Sequence, residues 1–147
     1  MKRNSPLPDL SKAQEWLNGD EFMLEKHPEK MILVHFWSVS CTLCKKDFPD
    51  FNQLIEDFKE EVFPVAVHMP RKEIDYDRTQ ILKDLNDFNI NQPCILDQDL
   101  VISRLFENQY VPAYYLFDQS GKLRHFQAGG RGIAMLKRRI SRITFQP

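Results

Sequence analysis

The sequence predicts an α/β domain with a mixed central β-sheet, and three observations carry that prediction. "MILVHFW" (31–37) is a near-continuous apolar run, as expected of a strand buried on both faces. Strand and helix patterns alternate after it. Near the end of the chain, "AYYLFD" (113–118) and "LRHFQAG" (123–129) flank "QSGK", a turn with glycine where a hairpin needs it.

Taken in order, residues 1–15 are polar and carry Pro6 and Pro8, so they are expected as an extended lead-in to a single domain spanning 1–147. After the apolar strand the spacing changes. Leu43, Phe48, Phe51, Leu54, Ile55 and Phe58 approximate a helical stripe, with Lys45, Lys46, Glu56 and Lys59 facing out. "VFPVAVHM" (62–69) is the next strand, followed by the loop "PRKEIDYD" and a helix near 77–88. "QPCILD" (92–97) reads as a short strand and "LVISRLFEN" (100–108) as a helix. "GIAMLKRRISRITF" (132–145) closes the chain as a basic-faced amphipathic helix.

At 147 residues the chain is long enough to bury a substantial core. Its formal charge is -1 and 28% of its residues are charged, with both signs interspersed, which gives no reason to expect nucleic acid or an acidic partner. No run reaches the roughly 20 apolar residues a spanning helix needs. "MKRNSPLPDLSKAQEWLNGDEF" has basic residues without an apolar core behind them, so the expected compartment is the cytoplasm. The chain has 3 cysteines, too few for a disulfide framework. Two of them, Cys41 and Cys44, form a C-x-x-C where the apolar strand hands over to a helix. In a reducing compartment such a pair is either redox-active or half of a metal site.

"FWSVSCTLCKKDFP", with "YVPAYYLFDQSGKL" downstream, resembles the thioredoxin-fold oxidoreductases of the TlpA/ResA type. "VAVHMPR" and "LRHFQAGG" extend the resemblance over most of the chain. It implies a thioredoxin fold, with helices on both faces of the sheet, and thiol–disulfide oxidoreductase activity. The residues agree on physical grounds. A cysteine at a helix start feels the positive end of the macrodipole and unpaired backbone N–H groups, and both favour thiolate. Cys41 is therefore expected to be the exposed nucleophile, and Cys44, one turn in and more buried, the resolving thiol.

The resemblance also implies a cis bond at Val111-Pro112, facing the dithiol. The expected substrate-binding residues are Trp37, Val111 and Pro112. Two positions depart from the family's pattern. Ser40 stands before the first cysteine where tryptophan is common, and Leu43 before the second where proline is common. Those positions tune thiolate stability, and about 30 mV of potential corresponds to 1.4 kcal/mol. The direction of the reaction is left open. His35 falls where thioredoxins carry a buried aspartate. It is read either as the base that takes the proton of Cys44, titrating near working pH, or as a core residue.

Rival readings are weaker. A structural zinc site wants four Cys or His ligands, whereas Cys94 is alone and His27, His35, His68 and His125 form no closely spaced pair. Ser38-Val39-Ser40-Cys41 mimics a peroxiredoxin motif, but Val34 stands where that motif has proline. Cys94 reads as a small buried hydrophobe. "GGRG" (129–132) reads as a turn into the last helix, and Arg131, Arg138, Arg139 and Arg142 as a solvated face. His68 and His125 read as structural, with His68 able to border the site. No metal or organic cofactor is expected. The expected partners are protein disulfide substrates and a reductase or dithiol that supplies electrons. The alternative is a non-enzymatic binding domain whose dithiol acts as a redox switch.

Overall fold

Strand β1 (Trp16–Leu17) and helix α1 (Phe22–Glu25) precede the apolar strand β2 (Met31–Trp37) in a computed structural model that describes residues 1–145. There follow α2 (Thr42–Asp57), β3 (Val62–His68), α3 (Arg78–Asp87), β4 (Cys94–Leu96), α4 (Val101–Leu105), β5 (Ala113–Phe117), β6 (Leu123–Ala128) and α5 (Ile133–Phe145). The strands form a six-stranded sheet in the order β1-β4-β3-β2-β5-β6. Parallel pairing joins β2 to β3 and β3 to β4, and the remaining pairs are antiparallel. The mixed sheet expected from the alternation and the hairpin is thus present.

β2 lies between β3 and β5, so both its edges are paired and both its faces are covered. Alternation along the strand assigns the faces. Val34 and Phe36 join Val65, Val67, Tyr115 and Phe117 under Ile102 and Phe106 from the α4 segment. Met31 and Leu33 point the other way, against Phe51 and Leu54 of α2 and Leu136 and Ile140 of α5. Toward the C-terminal end of β2, Trp37 packs with Phe48 of α2 and with Ile81 and Leu85 of α3. Helices therefore cover both faces, and α2 starts where the parallel strands end.

Four local features differ from the sequence reading. The first 15 residues are not merely extended: Leu10 is buried in a 3-10 turn, and the Asn4 amide donates to the Leu123 carbonyl at 2.8 Å. β1 and α1 were not foreseen, being too short to show a period. The loop after β3 contains a 3-10 turn, Glu73–Tyr76. The helix expected over 100–108 is only α4, because Leu100 (φ 62°) and Glu107 (φ 56°) take left-handed conformations on either side of it. The hairpin turn uses Gly121 at φ 78°, where a side chain would be strained.

Candidate active site

Cys41 is the N-cap of α2. Its backbone is extended (φ −90°, ψ 99°), and the Cys44 amide donates to its sulfur at 3.0 Å. The two residues are joined by a disulfide, with Cα atoms 5.3 Å apart. An unpaired N–H at the positive end of a 16-residue helix is the contact that stabilises a thiolate once such a bond opens. Cys41 was expected to stand exposed. It is nearly covered at 7% exposure, while Cys44 is completely buried at 0%. The asymmetry is in the expected sense, but only a small part of the first cysteine reaches the surface.

The three residues before Cys41 are held one by one from the end of β3 and the segment that follows it. Ser38 Oγ donates to the Met69 carbonyl at 2.5 Å, and the Val39 amide donates to His68 Nε2 at 3.2 Å. The Ser40 amide and hydroxyl donate to Oδ1 and Oδ2 of Asp75 at 2.7 and 2.8 Å. Burial pushes the His68 imidazole down to about 4, so near neutral pH the ring is uncharged and Nε2 is free to accept. His68 does border the site, as one leg of this clamp.

The other wall is the Val111-Pro112 segment, whose peptide bond is cis, the geometry the resemblance implied. Pro112 is buried, and half-buried Val111 packs against the cluster that contains both cysteines. Asn108 supports this segment from beneath: its amide donates to the Tyr110 carbonyl at 2.8 Å, and its Oδ1 accepts from the Tyr115 hydroxyl at 2.9 Å.

Comparisons with known proteins bear on this strand-to-helix dithiol. The profile of the AhpC/TSA family matches residues 4–126. The chain belongs to the AhpC/TSA family. Within it, the chain is 45% identical over 143 residues to the thiol-disulfide oxidoreductase YkuV of Bacillus subtilis strain 168, covering 97% of each protein. It is 26% identical to the thiol-disulfide oxidoreductase ResA of the same organism, over 72% of this chain and 57% of that one. A solved structure described as the solution structure of a thioredoxin-like protein in the oxidized form superposes with a TM-score of 0.86, at 46% identity and 97% coverage of both chains. This AhpC/TSA protein thus has a thioredoxin-like fold and is a thiol–disulfide oxidoreductase with a Cys41–Cys44 disulfide.

Two expected site residues of the AhpC/TSA chain need correction. Trp37, expected to touch substrate, is fully buried, edge-on to Phe48 and His68 with ring centroids 5.7 and 4.8 Å away. Its place on β2 points it beneath α2, so it supports the dithiol from the core. His35 was read either as a base titrating near working pH or as a core residue, and its surroundings fit the core reading. Burial holds its imidazole down at about 3, because no charged partner offsets the lost hydration. Its ring lies 4.3 Å from that of Phe51, and Nε2 is 2.7 Å from the Gln92 side-chain nitrogen.

The remaining assignments follow their simpler readings. Cys94 is completely buried, and burial pushes its thiol up to about 12. His125 is bonded to Gln127 at 2.8 Å. Gly129–Gly132 forms the turn into α5, with Arg131, Arg138, Arg139 and Arg142 exposed. Asp75 and Asn108 were missed. Each is a polar residue in a loop, which ordinarily reads as solvated, and their partners lie on distant segments. Only the turn-forming character of the Asp75 stretch was visible.

Proposed function

We propose that this oxidoreductase exchanges disulfides with protein substrates, Cys41 attacking and Cys44 resolving. The observation that carries the assignment is the difference in exposure between the two cysteines. Cys41 alone has surface to offer, and it sits at the helix N-terminus with the Cys44 amide directed at it. In the reducing direction, the Cys41 thiolate attacks one sulfur of the substrate disulfide. A Cys41–substrate bond forms, the substrate S–S bond breaks, and the other substrate sulfur leaves as thiolate and takes a proton. Cys44, deprotonated, then attacks the Cys41 sulfur. The Cys41–Cys44 bond forms and the second substrate thiol departs, so the substrate gains the two electrons the enzyme loses.

Val111 and Pro112 form the proposed substrate platform, supported by the packing of Val111 against the dithiol cluster. A reductase or another dithiol restores the reduced enzyme, and a cytoplasmic setting belongs to the proposal, open to test by cell fractionation. Turnover separates this reading from a redox switch. Repeated reduction of a small disulfide substrate, with a recycling reductant in excess, supports the enzyme. A single stoichiometric reaction that then stops would contradict it.

A further inference from the structure

We propose that Asp75 is a positioning residue for the dithiol, holding Ser40 against the active-site loop and opposing formation of the Cys41 thiolate. The inference rests on Cys41 being the attacking thiol. Asp75 is completely buried. Its carboxylate accepts from the Ser40 amide and hydroxyl, and also from the Arg71 and Lys72 amides at 2.8 and 2.9 Å. Among the described residues no lysine, arginine or histidine side chain forms a salt bridge with it. The carboxylate is thus met by dipoles alone. Burial by itself would raise its pKa, but the hydrogen bonds from Arg71, Lys72 and Ser40 outweigh that and hold it below the usual carboxylate range. It keeps its full charge at working pH.

A loop staple is the simpler account, and it explains half of these bonds. The Arg71 and Lys72 amides are local partners, the pattern of an aspartate closing its own turn. The two Ser40 bonds are different, since they span 35 positions and end on the residue that precedes Cys41. The other charged groups near this corner offer little to cancel the charge. His68 is neutral, and Lys45 is paired with Asp84 at 3.2 Å. The Arg71 and Lys72 side chains are exposed. A retained negative charge bonded to Ser40, the residue before Cys41, disfavours thiolate at the adjacent cysteine and works against the helix N-terminus. A less stable thiolate favours the disulfide over the reduced pair, which poises the enzyme toward reductant.

The test reads the Cys41 alkylation rate against pH in the reduced protein, with the modified residue mapped by mass. It also reads the equilibrium with glutathione. In Asp75→Asn, alkylation below the midpoint should be about tenfold faster, as for a thiol pKa about one unit lower. The equilibrium should shift about tenfold toward the dithiol, or ~30 mV. Ser40→Ala keeps the charge and should leave the alkylation midpoint within about 0.3 units, far less than the change expected for Asp75→Asn. A folded Asp75→Asn protein with unchanged midpoint and equilibrium would reduce Asp75 to a loop staple. Should that variant not fold, the wild type decides. A Cys41 midpoint at or above about 6.5 agrees, and any lower midpoint would overturn the proposal. Alkylation at Cys44 instead of Cys41 would overturn the underlying assignment of the nucleophile, and this inference with it.

Discussion

The Gln92 side-chain nitrogen lies 2.7 Å from Nε2 of the buried His35 ring. With the amide donating, Nε2 accepts and the ring proton resides on Nδ1, so the imidazole is neutral. That assignment has a pH signature. The unfolded chain protonates His35 and His68 near 6.5, whereas the folded protein resists down to about 3 and about 4. Both folded values are depressed, so the unfolded state binds more protons below 6.5, and stability falls as pH drops from there toward the folded values. Each imidazole should remove at most about 1.4 kcal/mol per pH unit in that window. Urea unfolding between pH 6.5 and 5 should show a clearly shallower decline in His35→Gln. An unchanged slope would mean that the folded ring protonates normally.

The same substitution addresses chemistry. Single-turnover kinetics of His35→Gln should show equal effects on the attack by Cys41 and on resolution by Cys44, because an imidazole held at about 3 is too weak a base to serve at working pH. Selective slowing of resolution would restore His35 as a proton acceptor.

Lys45, the residue after Cys44, reaches the nearly buried Asp84 at 3.2 Å, and Gln80 donates to the other Asp84 oxygen at 2.9 Å. Removing the cation leaves a covered carboxylate without its charge partner. Lys45→Met should therefore destabilise the fold by about 1–3 kcal/mol, while adding Asp84→Asn should recover much of that loss. Denaturant midpoints for the cycle decide it, and simple additivity would show the pair to be uncoupled.

Cys94 is covered on all sides, and its thiol resists ionisation. Cys94→Ala should keep turnover within about twofold and cost only packing, about 1 kcal/mol. A large loss of activity at retained stability would mean that Cys94 takes part in the chemistry.

What could be read from the sequence divides along local and tertiary lines. β2 and the start of α2 were legible because an apolar run and the stripe from Leu43 to Phe58 are contiguous signals, and they put the dithiol at its handover point. The Val111-Pro112 bond was legible only through resemblance, since composition alone does not favour cis. β1 escaped because two residues carry no alternation, and its partner β4 lies far along the chain. α4 was drawn too long because its apolar spacing continues past Leu105, while the stop is a backbone conformation at Glu107. Trp37 was expected to bind substrate, but strand alternation turns it into the core. Asp75 was illegible for the opposite reason: nothing in "PRKEIDYD" announces that one of its acids is buried against Ser40.

The central claim is that Cys41 attacks and Cys44 resolves, and trapping tests it most directly. Reduced Cys44→Ser protein mixed with a disulfide-containing substrate should accumulate a mixed disulfide, seen by intact mass and mapped to Cys41. Cys41→Ser should trap nothing and be inactive. Trapping on Cys44 in the Cys41→Ser protein, or full turnover by both variants, would contradict the account.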